Sequence, residues 1–349
     1  MDLTLVSEAF GPTPGAIDYL GREGIRHVAA PSLGEARSEF ALSLGRGGLD
    51  SKILESLWPR RHEAEVLIAS RHHRGGQSLS RAFNRLLRRA LHLPFDDITG
   101  GVRLYQCSAL RRVTLPEDRP SAPVELLVRL YNEGFKIKEI PLEGLPNTED
   151  RILSHLAALA RLRRMRKSPD AADADDRAFE SHVPLRRRWL ARRQETIVSY
   201  LEVDVPVLDV GCGSSRLIQA LSKGVGLDTS APKLRFLRGR ANAIVAGDLT
   251  RLPFRDESFP QLVCSHVGIG STYLEELRRI LRPHGTLVLG TPDSSSLRFH
   301  LLGRLAGLEA GKKSVNERGL RRDLEETGFR VDEIRRVYGA EMIVRAIRR

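Results

Sequence analysis

Three acids and two glycines in the C-terminal half share a spacing that suits a nucleoside ligand. Asp209, Gly211 and Gly213 alternate in Val207-Leu208-Asp209-Val210-Gly211-Cys212-Gly213, where an apolar run gives way to a turn. Glycine there lets the backbone take left-handed torsions and lets a ligand approach with no Cβ in the way. Asp228 closes a second apolar run, nineteen positions after Asp209. An acid so placed can accept hydrogen bonds from both hydroxyls of a ribose. Gly247-Asp248-Leu249 follows a third run, Ala243 to Ala246, and a carboxylate there can accept from an adenine amino group. His266 follows Leu262-Val263-Cys264. An imidazole can take a hydroxyl proton near neutral pH, so His266 is a candidate general base; the alternative is a hydrogen-bonded loop histidine. His300 is a weaker candidate for the same role. A dinucleotide loop would need a third glycine where this chain has Arg216, and it would not need Asp209 two residues before Gly211. Both facts favour a ligand without a pyrophosphate.

The elements that must position these residues alternate strand and helix patterns, as in a mostly parallel α/β sheet. Strands are predicted over Val205 to Val210, Val225 to Asp228, Leu262 to Cys264 and Thr286 to Leu289, with a helix from Ser215 to Leu221. Strand ends on one edge of such a sheet converge on one crevice.

This constellation resembles the class I methyltransferases, whose Asp-x-Gly-x-Gly loop contacts the amino acid end of S-adenosylmethionine. Asp248 to Phe259 resembles the family's stretch after its third strand, and Glu275 to Pro283 the helix and turn before its fifth; the likeness covers about residues 186 to 349. It implies a Rossmann-like domain with S-adenosylmethionine as cofactor, held by Asp209, Gly211, Cys212, Gly213, Asp228, Gly247, Asp248 and Leu249. Three positions depart from the pattern. Pro260 replaces an Asp, His284 replaces a Gly, and Ser265 to Ser271 is short where relatives carry a Glu-His pair and more helix. That segment normally closes over the cofactor and faces the acceptor. Methyl transfer needs mainly alignment in a dry pocket, so the shortening bears on acceptor choice more than on cofactor binding.

The N-terminal part carries a second set of motifs. Ala69 to Gly76 is followed by Ser80-Arg81, by Asp97-Ile98-Thr99-Gly100-Gly101-Val102-Arg103, and by Gly134 to Pro141. Val66 to Ala69 reads as a buried strand, and Leu79 to Leu91 as a basic amphipathic helix with Phe83, Leu86, Leu87 and Ala90 on one face. Together these resemble the second half of family 2 glycosyltransferases of the dolichyl-phosphate mannose synthase type. The resemblance implies a GT-A α/β domain with Arg71, Arg81, Asp97 and Arg103 along a phosphate and acceptor groove. The first half matches poorly. The turn that should hold the nucleotide falls at Val6 to Gly11, with its preceding strand missing. The Asp-x-Asp that should bind a divalent metal falls on Leu42-Ser43-Leu44-Gly45-Arg46-Gly47, which has no acid. A hard cation wants carboxylate oxygens, so no metal is expected and sugar transfer is expected to be lost.

The chain is thus expected to be an α/β protein of two domains. An incomplete, degenerate GT-A-like domain spans 1–148, a basic helix and linker 149–195, and a methyltransferase domain 196–349. Asp175 to Leu185, with Trp189 and Arg192-Arg193, resembles the junction in bacterial proteins that fuse the two activities. The net charge of +12 admits nucleic acid, an anionic membrane or phosphorylated substrates, or only solvated helix faces. The polar-Pro-Pro-aromatic loop of base amino methyltransferases is absent after Cys264, so no nucleic acid partner is expected. The basic helix Ile152 to Lys167 could rest on an anionic membrane. Three scattered cysteines imply neither a disulfide framework nor a zinc site. With no signal peptide pattern and no membrane-spanning run, the expected location is the cytoplasm, including the inner face of the membrane. The favoured function is O-methylation of a glycan, glycolipid, lipid-linked or related small molecule. The alternatives are a scaffold with two worn-down sites and an active polyprenyl-phosphate sugar transferase joined to a methyltransferase.

Overall fold

The structure is a computed structural model that describes residues 2–7, 12–44, 48–71, 79–117, 119–145, 152–202, 204–267, 271–293, 295–303 and 316–349. It divides into two units, Met1–Ala171 and Ala172–Arg349.

The first unit is built on a sheet of β1 (Asp2–Val6), β2 (Arg26–Ala30), β3 (Phe40–Ser43), β4 (Val66–Ser70), β5 (Arg103–Gln106) and β6 (Ile137–Pro141). The order is β2-β1-β3-β5-β4-β6, and β5 alone runs antiparallel to its neighbours. A strand therefore does precede the turn at Val6, contrary to the sequence expectation. Five residues with Thr4 in their middle are too few for alternation to stand out. Of that turn and of the Leu42 to Gly47 stretch, residues 8–11 and 45–47 lie outside the described residues. The helix Leu79–Leu91 buries Phe83, Leu87 and Leu91, spaced by four. Leu86, expected on that face, is 48% exposed because it sits about 100° round the helix from Leu87.

The stretch 149–195 is shared between the units. The helix Ile152–Arg166 packs Ala158 and Leu162 against Phe83, Leu87 and Val124 of the first unit. Its last arginine is buried and donates to the carbonyls of Leu91 and His92 and to Asn132 Oδ1. Pro184–Val198 is a helix of the second unit, where Trp189 and Ile197 enter the core. Ala172, in the piece read as linker, packs against Cys212, Ile218 and Leu234.

The second unit has seven strands: β7 (Val207–Val210), β8 (Gly224–Asp228), β9 (Ala243–Ala246), β10 (Phe259–Ser265), β11 (Leu281–Pro292), β12 (Phe329–Val337) and β13 (Glu341–Arg348). Their order is β12-β13-β11-β10-β7-β8-β9, all parallel except β13, which opposes both neighbours. Alternate residues serve opposite faces. Leu208, Leu262 and Leu287 enter one core, while Val207, Val263 and Val288 enter the other. Both faces are thus covered, as parallel sheets require. His284 takes φ +60°, the left-handed backbone that explains why relatives of the expected class carry glycine there.

Candidate functional site

From β7 the chain winds outward through β8 and β9, then returns to the other side of β7 as β10. Open α/β sheets bind ligands at such a reversal, outside the carboxyl ends of the strands. A cavity of about 380 Å³ opens there. Asp209, Gly211, Cys212, Gly213, Asp228 and His266 all line it. Six residues named from the sequence and its resemblance thus line one cavity.

The glycine loop is fixed by main-chain bonds. Gly211 and Cys212 both donate their N–H to the Leu227 carbonyl, at 2.8 and 3.0 Å. Gly211 has φ +71°, and a Cβ there would lie 2.3 Å from Val267 Cγ2. Asp228 ties the loop to β8. Its Oδ2 accepts from Gly213 N–H at 2.8 Å and its Oδ1 from Ser230 N–H at 2.7 Å. Each oxygen keeps a further lone pair for a ligand hydroxyl. Cys212 and Cys264 are buried, free thiols, and burial pushes Cys264 up to about 12, so neither offers a thiolate.

Asp209 is 3% exposed, and no hydrogen bond to its carboxyl is found among the described residues. Burial first, then the charges of Asp228 and Asp175, push it up to about 7. Such a group favours a cation or a donor as its neighbour. On the helix Pro184–Val198, Arg186 and Gln194 also line the cavity, and Arg186 Nε and Gln194 Oε1 are buried without a partner among the described residues.

His266 sits at φ +61°, just past β10, and its side chain is 32% exposed. Its Nε2 lies 2.6 Å from Glu341 Oε1. Glu341 is 0% exposed and also accepts from Trp189 Nε1 at 2.6 Å and from Arg193 Nε and Nη2 at 2.6 and 3.0 Å. Burial alone would push its carboxyl up, but Arg193 and His266 beside it outweigh that and hold it at about 2. His300 is not among the cavity walls.

Other expected cofactor residues stand apart. Gly247, Asp248 and Leu249 do not line the cavity. Asp248 is exposed, and its Oδ1 accepts from Thr250 N–H and Oγ1 at 2.7 and 2.8 Å. Leu249 packs on the core.

The sequence reading missed Glu341, Arg186 and the helix Ala174–Ala178. In that helix Asp175 accepts from Ser214 N–H at 2.9 Å and pairs with Lys233 at 2.9 Å, while its Asp176 and, two residues beyond its end, Glu180 hold Arg216. A signal existed for Glu341. A carboxylate opening the apolar strand Glu341-Met342-Ile343-Val344 needs a buried partner.

In the first unit, Arg71 and Asp97 meet as a bidentate pair, Nε to Oδ2 at 2.8 Å and Nη2 to Oδ1 at 2.6 Å. Thr99 and Asn84 extend that network. Arg103 corrects the sequence reading. It is 0% exposed and donates to the carbonyls of Ile98 and Pro123, so it faces no groove. Arg81 is partly exposed. Among the described residues no group of three or more His, Cys, Asp or Glu could hold a metal ion.

The sheet reversal and its acid-flanked glycine loop define a nucleoside-binding α/β domain. Residues 208–289 match the methyltransferase domain family. The second unit is a class I methyltransferase domain, and its cofactor is S-adenosylmethionine. The chain is 33% identical over 148 residues to an uncharacterized 37.1 kDa protein in transposon TN4556 of Streptomyces fradiae, covering 35% of this chain and 43% of that one. An uncharacterized protein of Methanocaldococcus jannaschii is 25% identical over 107 residues, 29% and 42% of the two chains. The chain thus spans less than half the length of either relative. Similar solved structures include a possible histamine N-methyltransferase from Thermotoga maritima, at 20% identity, 49% and 98% coverage and a TM-score of 0.38. Another is a magnesium protoporphyrin IX methyltransferase from Synechocystis, at 19% identity, 50% and 92% coverage and a TM-score of 0.38.

The residues present fit this cofactor. Its amino acid end is zwitterionic, and the cavity offers a buried carboxyl, Asp209, and a guanidinium nitrogen, Arg186 Nε, neither of which has a hydrogen-bond partner among the described residues. When bound, it supplies a methyl group on a sulfonium centre.

Proposed function

We propose that the protein methylates a hydroxyl on a glycan, a glycolipid or a related small molecule. The observation that carries the reading is the buried Asp209 carboxyl, which has no hydrogen-bond partner among the described residues, in a cavity shared with Asp228 and His266. Asp209 takes the cofactor's ammonium, Arg186 its carboxylate and Asp228 its ribose. Asp248 is the proposed adenine partner; it is exposed just past β9, and while Thr250 occupies its Oδ1, its Oδ2 is the oxygen that would face the amino group. Incubation of the full chain with methyl-labelled S-adenosylmethionine and extracts of envelope glycans and lipids tests this. Label in a glycan or lipid fraction supports it, and cofactor binding without transfer to any fraction favours a scaffold.

The first unit is, in the same proposal, a GT-A-like domain related to family 2 glycosyltransferases that no longer transfers sugar. What supports its inactivity is that Arg71 and Asp97 satisfy each other and Arg103 is spent on carbonyls. Sugar transfer to polyprenyl phosphate with Mg²⁺ or Mn²⁺ would revive the bifunctional reading. Contact with an anionic membrane through Ile152–Arg166 rests on exposed Leu153, Arg163 and Arg164. It would place the protein at the inner membrane face of the cytoplasm, and co-sedimentation with anionic but not neutral liposomes checks it. Among the described residues no helix is long and apolar enough to cross a membrane.

A further inference from the structure

We propose that Glu341 is a positioning residue that makes His266 Nδ1 the proton acceptor during methyl transfer; this rests on the methyltransferase reading above.

The four donors on Glu341 fill the carboxylate. Oε1 takes Arg193 Nε and His266 Nε2, and Oε2 takes Trp189 Nε1 and Arg193 Nη2. A carboxylate offers about four lone-pair sites, so none is left to reorient. Complete burial keeps water from competing for them. An ionised carboxylate only accepts, so the His266 nitrogen facing it must carry the proton. The neutral ring is thereby fixed as the Nε2–H tautomer, with the lone pair on Nδ1. That nitrogen has no protein partner among the described residues, on a side chain that lines the cofactor cavity.

The backbone supports the same conclusion. His266 adopts φ +61°, a conformation uncommon for a non-glycine residue, and its N–H is pinned to the Gly290 carbonyl at 2.8 Å. Strain of this kind persists only where surrounding contacts enforce it. A loop histidine serving only as a cap would need neither the strain nor a buried acid from β13, two strands away.

In the step itself, the acceptor oxygen forms its new bond to the methyl carbon as the carbon–sulfur bond breaks, the electron pair remaining on sulfur. The hydroxyl proton passes to Nδ1. The positive charge lost from the sulfonium thus reappears on the imidazolium, where Glu341 stabilises it, and the proton then leaves to solvent. Positioned bases of this type contribute about 10²–10⁴ in rate.

Long-range ¹H–¹⁵N spectra of the full chain, histidine-labelled and saturated with S-adenosylmethionine, test the arrangement without an acceptor. The His266 signals, assigned by their loss in His266→Ala, should report a single Nε2–H tautomer. Glu341→Gln should release it to a mixture. In transfer to the accepting extract fraction, His266→Ala should lower kcat about 100-fold or more while cofactor affinity stays within about threefold. Glu341→Gln also strips Arg193 of its partner, so the wild-type spectrum stands as a readout independent of that variant's folding. An Nδ1–H tautomer in the wild type, or wild-type kcat in His266→Ala, overturns the proposal alone. Failure of the wild type to bind cofactor overturns the methyltransferase reading and this proposal with it.

Discussion

Asp175 occupies the space that a side chain at Gly213 would need: a Cβ on Gly213 would lie 2.2 Å from Asp175 Oδ2. Gly213 is also in the left-handed region, at φ +56°. The glycine loop is therefore closed by an acid from a helix upstream of the sheet, and the loop and helix fit only while position 213 has no Cβ. Gly213→Ala should expel Asp175 and strain the turn, at about 1–3 kcal/mol. A lower Tm together with at least tenfold weaker cofactor binding is the expected result. A variant that melts and binds like the wild type would show that Asp175 is not held there.

Asp209 makes cofactor binding depend on pH. Its folded carboxyl titrates at about 7, above the ordinary 3.8. An acid raised in this way stabilises the fold relative to the unfolded chain below the ordinary value and loses that contribution as pH rises toward 7. Ammonium binding favours the ionised form, so cofactor binding should release a proton below pH 7 and tighten up to about pH 7. Titration calorimetry in buffers of different ionisation enthalpy measures that proton directly. Asp209→Asn should remove the proton release, raise the stability of the ligand-free protein at pH 8 and weaken binding.

Arg186 tests the other end of the cofactor. Arg186→Gln should weaken S-adenosylmethionine binding by about tenfold, the scale of one charge-assisted hydrogen bond, and leave Tm almost unchanged. Adenosine, which has no carboxylate, should bind both proteins alike.

Arg103 separates a structural from a functional arginine. Its buried guanidinium joins Ile98 and Pro123 in the first unit. Arg103→Met should cost about 2–4 kcal/mol in urea denaturation of the first unit, because two carbonyls lose charged donors. Cofactor affinity of the second unit should not change.

The sequence made the second unit legible because strand ends and ligand groups repeat a fixed spacing. Asp209, Gly211 and Asp228 fall where the strands of the sheet stop. The rest was hidden for physical reasons. Glu341 and His266 lie 75 positions apart and meet only because β13 inserts antiparallel between β11 and β12, a register no local pattern announces. The helix Ala174–Ala178 reads as linker since its acids serve as ligands for the glycine loop, not as an amphipathic face. In the first unit the motif arginines were visible, but their burial was not. Arg71 and Arg103 differ in what neighbouring carbonyls and acids are brought to them, which is a property of the packed sheet.

The cavity at the end of β7 should bind S-adenosylmethionine. Calorimetric titration of the full chain with the cofactor tests it most directly, comparing the wild type with Asp228→Ala. The expected result is one cofactor per chain and a loss of about 1–3 kcal/mol in the variant. No binding at high micromolar cofactor, or equal affinity in the two proteins, would contradict it.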